Sequence, residues 1–158
     1  MNIFALNIAL AVAWAALTGN FTLGGLAVGF VLGSGALYLA KPLFPGCDLY
    51  FLRGWRWVKL CVLFLYELVV SSIAVVWDVI TPSTKARPGV IAMPLDVEDE
   101  MAILLVTNLI SLTPGTLSLD VTDDRKTLFI HAMFADDPDA IRAQLKGGME
   151  RWVKEAME

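Results

Sequence analysis

Between Met1 and Ala40 the chain carries no charged side chain at all, a deficit that the surface of an ordinary soluble domain does not show. Histidine is as scarce. His131 stands alone, which excludes a histidine metal cluster and a histidine acid/base pair. Beside Phe129 and Ile130 in a strand-like run, it reads as a half-buried structural residue. Cysteine is limited to Cys47 and Cys61, which form neither a disulfide framework nor a metal-ligand spacing. The glycines from Gly24 to Gly35 are not followed by Gly-Lys-Ser/Thr, so there is no phosphate-binding loop. Asp136, Asp137 and Asp139 lack the alternating ligands and distal Glu of a calcium loop and read as helix capping. What is missing therefore argues against an enzyme, a metal site and a bound cofactor.

What is present is apolar and segregated. Hydrophobic residues make up 57% of the 158 residues and charged ones 18%, against roughly 45–50% and ~25% in soluble domains. Residues 1–80 hold Lys41, Arg53, Arg56 and Lys59 against Asp48, Glu67 and Asp78, a net of +1. Residues 81–158 hold eight bases against thirteen acids, a net of −5. An apolar head with an acidic, charge-mixed tail points to two solvents, and no basic face is available for nucleic acid.

In the head, Ile3–Leu17 is a first apolar run ending at Thr18-Gly19-Asn20. Met1-Asn2 offers no basic segment for a signal peptide, so a short spanning helix is expected. Phe21–Ala40 is about the ~20 residues that cross a hydrocarbon core. Within it Gly25, Gly29 and Gly33 recur along one helix face, as a packing seam requires. Pro42–Trp57 reads as a connection in which Tyr50, Phe51, Trp55 and Trp57 beside Arg53, Arg56 and Lys59 anchor at the membrane interface. Val58–Ile80 is long enough to span, but Arg56, Glu67, Ser71 and Asp78 form a polar stripe. The helix either spans with the stripe turned to protein or lies in the interface with the stripe in water. A three-helix membrane region is the expectation. It leaves a conflict, because the basic flanks Lys41–Lys59 and Lys85/Arg87 then fall on opposite sides, against the positive-inside tendency. Glu67 is the candidate intramembrane carboxylate; Asp78 lies close to the helix end.

The expected partition is residues 1–80 as membrane helices (about 3–17, 21–40 and 58–80), 81–89 as linker, and 90–158 as a soluble α/β domain. Val90–Leu95 reads as a short strand, with Pro94 marking an edge or a strand end, and Asp99–Leu112 as a buried helix, too short at about 13 residues for the ~20 of a span. Thr113-Pro114-Gly115-Thr116 is a stop and turn. Thr116–Thr122 alternates, with Leu117, Leu119 and Val121 on one face, and Asp123–Lys126 turns into Thr127–Met133 as a hairpin. Asp137 caps a last helix with Pro138 at its first position. Ile141, Leu145, Met149, Trp152 and Ala156 should be its buried face, with Arg142, Lys146, Glu150 and Lys154 in water. The order β-α-β-β-α reads as a truncated ferredoxin-like sandwich.

The run Asn108-Leu109-Ile110-Ser111-Leu112-Thr113-Pro114-Gly115-Thr116-Leu117-Ser118-Leu119-Asp120-Val121, with Asp123-Asp124-Arg125 and Leu128–Met133, resembles the E subunit of the Mrp-type (Mnh or Pha) multisubunit Na+/H+ antiporters. Leu6–Trp14, Lys59-Leu60, Glu67-Leu68 and Arg87-Pro88-Gly89-Val90 are similar to further parts of that family. The resemblance implies a small accessory subunit of a bacterial cytoplasmic-membrane complex exchanging Na+ or K+ for protons. Its partners would be the other subunits and the bilayer, the larger antiporter-like subunits would carry the ion paths, and the C-terminal domain would be cytoplasmic. The matched motif positions are Thr113, Pro114 and Gly115, with Asp120 and His131. Two other readings stay open: Glu67 as a direct participant in a proton or cation path, and a free-standing membrane-tethered binding module.

Overall fold

A computed structural model describes residues 2–43, 47–82 and 86–157, in two compact units, Met1–Trp55 and Arg56–Glu158. The expected connection and linker fall partly on Phe44–Gly46 and Ser83–Lys85, which lie outside the described residues.

The first unit is built on a helical hairpin. Helix α1 (Ile3–Thr18) starts where the Asn2 side chain accepts from the Phe4 and Ala5 amides. It ends where Gly19, at φ 65°, donates back to Ala15 and Ala16, a left-handed cap that glycine adopts without strain. Helix α2 (Leu23–Leu39) begins at Thr22, whose hydroxyl accepts from the Gly25 amide at 3.1 Å. The buried faces interleave small residues: Ile3, Asn7, Ala11 and Ala15 on α1, Gly25, Gly29, Gly33 and Leu37 on α2. A Cβ on Gly29 would lie 2.8 Å from the Ala11 carbonyl oxygen, and one on Gly33 would overlap Asn7 Oδ1. Close approach of this kind substitutes van der Waals contact for the hydrophobic force that lipid does not supply.

Helix α3 runs from Cys47 to Ile80, so residues 47–57 are helix, where the sequence led us to expect a connection. Cys47, Tyr50 and Phe51, spaced i, i+3, i+4, supply an apolar face that joins Ile3, Leu6, Leu10 and Leu37 in one cluster. Phe51 meets Tyr38 and Tyr50 edge to face at 5.5 and 5.2 Å. Asp48 occupies the first turn, where a carboxylate favours the helix dipole, and pairs with Lys41. That hydrogen bond raises the Lys41 pKa above its ordinary value.

The second unit contains a three-stranded antiparallel sheet in the order β1-β3-β2, from β1 (Gly89–Pro94), β2 (Thr116–Val121) and β3 (Thr127–Ala132). Gly89 already belongs to β1, so the strand begins one residue inside the expected linker. Ile91, Met93, Leu128, Ile130 and Ala132 line the sheet's inner face, with Ile91 opposite Ile130 and Met93 opposite Leu128. Helix α4 (Glu100–Leu112) adds Val106 and Ile110, and the C-terminal helices add Leu145, Met149, Val153 and Ala156 to the same core. Each Val, Leu, Ile or Met side chain among these contributes about 1.5–3 kcal/mol through burial. Asp99 caps α4 by accepting from Met101 and Ala102, and Thr107 and Asn108 bond back to the Leu104 carbonyl. This satisfies the polar residues of an otherwise apolar helix.

Two expectations in this unit are corrected. Pairing shifts between Ser118 and Asp120, so Leu119 is the extra residue of a β-bulge. Leu117 and Leu119 are 51% and 50% exposed, while Val121 packs against the core and the Ser118 hydroxyl donates to the Thr107 carbonyl. The last helix is not continuous. Helix α5 (Pro138–Leu145), capped by Asp137, passes through a π-helical turn at Lys146–Glu150 before α6 (Arg151–Met157). Gly148, at φ −100° and ψ −105°, leaves helical geometry. The wider turn rotates the residues downstream of it, burying Val153 completely and leaving Trp152 half-buried at the core's edge. Glu150, expected in water beside Lys154, is 2% exposed. Its Oε1 accepts from the Asp96 and Val97 amides at 2.5 and 3.3 Å, tying the π-helical turn to the loop before α4.

Candidate functional site: the Glu67 groove

The motif Thr113-Pro114-Gly115-Thr116 forms a tight turn between α4 and β2. The Thr116 amide donates to the Thr113 carbonyl at 3.2 Å, with proline second and glycine third at φ 90°, the arrangement of a type II turn. Thr113 is buried, and its hydroxyl donates to the Leu109 carbonyl at 2.8 Å. The Thr116 hydroxyl donates to Ile110 at 2.8 Å, and the Met133 amide donates to the Gly115 carbonyl at 2.7 Å. These polar groups of the motif are therefore spent on holding the helix end to the sheet. A Cβ on Gly115 would touch Val75 of α3 at 3.5 Å.

Beside this turn lies a groove of about 240 Å³. Glu67, Ser71 and Ala74 of α3 form one wall, the Thr113–Thr116 turn another, and Gln144 and Met149 help close it. Glu67 is half-buried, and its Oε1 accepts from Gln144 Nε2 at 3.0 Å. Among the described residues that line the groove it is the only acidic one, and none is basic. Near the start of this stretch, Lys59 pairs with Glu155 at 2.7 Å and lowers the Glu155 pKa.

The remaining expected site residues lie elsewhere. Asp78 is buried near the end of α3. His131 is half-buried on the outer sheet face, paired between Val90 and Leu117. Asp120 is exposed, and its carboxylate accepts from the Val121 amide at 2.8 Å. Gly25, Gly29 and Gly33 sit in the first unit. Among the described residues no group of three or more His, Cys, Asp or Glu is placed to hold a metal ion.

Two buried polar residues escape a reading of the sequence. Asn7, fully buried, donates to Ser34 Oγ at 2.8 Å and to the Tyr50 hydroxyl at 3.0 Å, joining α1, α2 and α3. Its Oδ1 faces the bare Cα of Gly33, whose hydrogens give only a weak contact. An amide on the stripe that also carries Ala11 and Ala15 is the signal that could have found it. Glu150 gave no such signal, because only the π-helical turn brings it inward.

A family model for a Na+/H+ ion antiporter subunit (MNHE) matches residues 7–156. The chain is 37% identical over 153 residues to the Na(+)/H(+) antiporter E1 subunit of Staphylococcus haemolyticus (strain JCSC1435), covering 97% of this chain and 96% of that protein. It is 35% identical to the E1 subunit of Staphylococcus aureus (strain JH9), with the same coverage. Among solved structures, a chain of the Mrp complex from Dietzia sp. DQ12-45-1b is similar with a TM-score of 0.51 at 25% identity, covering 73% of this chain and 99% of that one. A chain of the membrane-bound sulfane sulfur reductase, an archaeal respiratory membrane complex, shares the fold with a TM-score of 0.60 at 21% identity over 98% of each. With the family model spanning nearly the whole length, this chain belongs to the family of Na+/H+ antiporter E subunits.

Proposed function

We propose that this protein is a non-catalytic accessory subunit of a multisubunit membrane complex that exchanges Na+ or K+ for protons. It contributes to assembly and coupling, and the ion path runs through other subunits. The observation that carries this reading is the setting of Glu67. A proton or cation path needs a succession of ionisable or coordinating groups. Glu67 instead accepts from an amide, Gln144, in a groove where the described lining residues include no second carboxylate and no base. Its role there is to join α3 to α5. The motif that marks the family is likewise engaged in its own turn, as a structural element is.

The strand order β1-β3-β2 supports a truncated ferredoxin-like sandwich in which β1 lacks the outer neighbour that a fourth strand would supply. The uncharged helices α1 and α2 support a chain that passes through the bilayer more than once, and the charge-mixed half supports a C-terminal domain in water, which membership of the family suggests is cytoplasmic. The partners are then the larger subunits of the complex. The test is to purify the complex from cells lacking this subunit and reconstitute it. The expected result is a complex that loses subunits on purification and exchanges ions weakly. Full assembly with full antiport would overturn the proposal.

A further inference from the structure

Helix α3 carries two faces between Arg56 and Ile80, and they have opposite environments. Leu60, Phe64, Glu67, Ser71, Val75 and Asp78, spaced by three and four, are all buried or half-buried. Their partners belong to the charge-rich domain. Leu60 enters its core cluster, Glu67 meets Gln144, and Val75 lies against the Gly115 turn, while neighbouring Lys59 pairs with Glu155. Val62, Leu65, Val69, Ile73, Val76 and Ile80 form the other face, each more than half exposed. The first face is covered along its length; the second is bare.

From Lys59 to Asp78 the axis advances about 28 Å, at ~1.5 Å per residue. The hydrocarbon core of a bilayer is ~30 Å thick. A spanning α3 would therefore carry the whole domain contact through the core. Gln144, Glu155 and nearby Arg142 and Arg151 would then sit at membrane depth, where charged groups are strongly disfavoured.

We infer that α3 from Arg56 to Ile80 does not cross the membrane but lies in its plane, with the Val62–Ile80 face sunk into the headgroup–acyl boundary and the α/β domain mounted on its opposite face. The occupant of the bare face is thus lipid. Trp55 and Trp57 at one end, Tyr66 in the middle and Trp77 at the other are all exposed, and their amphipathic rings suit that depth. Arg53, Arg56 and Lys59 form a basic end suited to an anionic leaflet.

The arrangement also removes the charge conflict. With α1 and α2 as the only crossings, the basic 41–59 segment and residues 86–157 face the same compartment. The uncharged turn Thr18–Thr22 faces the other. This inference rests on membership of a membrane complex and not on the accessory role.

The test measures depth in the assembled complex reconstituted in vesicles. Single cysteines replace Val62, Leu65, Val69, Ile73 and Val76 in a Cys61→Ala background, the unsubstituted background giving the baseline from buried Cys47. Each carries a nitroxide, and its collision rates with oxygen and with a water-soluble nickel chelate give its depth. The expected result is one shared depth, ~5–10 Å into the boundary, at all five positions. A profile that deepens to ~15 Å near Val69 and shallows at both ends would show a span and overturn the inference. Exclusion of both reagents at all five would show a protein partner on this face and overturn it equally. Because each position is read separately, one variant that fails to assemble leaves the other four decisive.

Discussion

Replacing Gly29 by alanine adds one methyl group where α2 meets the backbone of α1. The new Cβ would lie 2.8 Å from the Ala11 carbonyl oxygen and 3.0 Å from both Ala11 Cα and Trp14 Cβ. Carbon atoms in favourable contact stand ~3.5–4.0 Å apart, so the pair must separate by about 0.5–1 Å or strain to the same extent. The obstructing Ala11 atoms are backbone and cannot swing aside. Overpacking of this kind costs about 1–3 kcal/mol. Gly35, on the same helix, has nothing within 4 Å of its would-be Cβ. Gly35→Ala therefore gains the same ~0.8–1 kcal/mol of helix propensity without the clash, and the difference between the two variants isolates the packing. Both would be unfolded by titrating a denaturing detergent into the purified subunit while following helix content. The folded-to-unfolded ratio of Gly29→Ala should lie ~5–150-fold below that of Gly35→Ala, the equivalent of 1–3 kcal/mol. Equal midpoints for the two would refute the seam argument.

Gly115→Ala places a side chain at φ 90°, where an L-residue is strained by about 1–2 kcal/mol, while its Cβ meets Val75 only at ordinary contact distance. A lowered thermal midpoint with unchanged helix content should result, and Gly115→Asn, better tolerated in left-handed geometry, should recover part of it. Asp124 accepts from the Thr122 hydroxyl and the Lys126 amide, which hold its pKa below the usual value. A depressed carboxyl stabilises above its unfolded pKa and loses that contribution as pH falls through the folded one. Asp124→Asn should accordingly lower stability at pH 7 and flatten the acid limb of the profile below about pH 4, where the two proteins converge. Glu150→Ala strips the acceptor from the Asp96 and Val97 amides and should destabilise by about 1–3 kcal/mol in equilibrium unfolding.

Much of the C-terminal half was legible because its signals are local. Asp99, and Asp137 with Pro138, mark helix starts, Pro114-Gly115 marks a helix stop and turn, and the change from helical to alternating period marks the hairpin strands. The failures share a cause, which is a one-residue change of register. The bulge at Leu119 and the π-helical turn at Lys146–Glu150 each insert a residue, so that Glu150 turns inward and Trp152 moves to the core's edge while Ala156 stays buried as expected. Strict periodicity cannot anticipate either, although Gly147-Gly148 showed where a helix could deform. In the N-terminal half, the turns of α3 before Trp57 read as a connection because aromatic and basic residues there fit an interface anchor equally well. Of the candidate residues, the glycine seam and Glu67 could be named from spacing, but Gln144 as the partner of Glu67 could not. That contact joins residues 77 positions apart, on elements whose faces depend on the whole fold.

The central claim, that this subunit supports the ion path without forming it, is tested most directly at Glu67. Glutamine keeps a carbonyl acceptor for Gln144 and removes only the ionisable group. Complex carrying Glu67→Gln would be purified, checked for its full set of subunits and reconstituted, and Na+- or K+-driven proton movement would be followed with a pH-sensitive dye. Exchange close to that of the unmodified complex is the predicted result. Abolished exchange in a fully assembled complex would contradict the account and place Glu67 in the path itself.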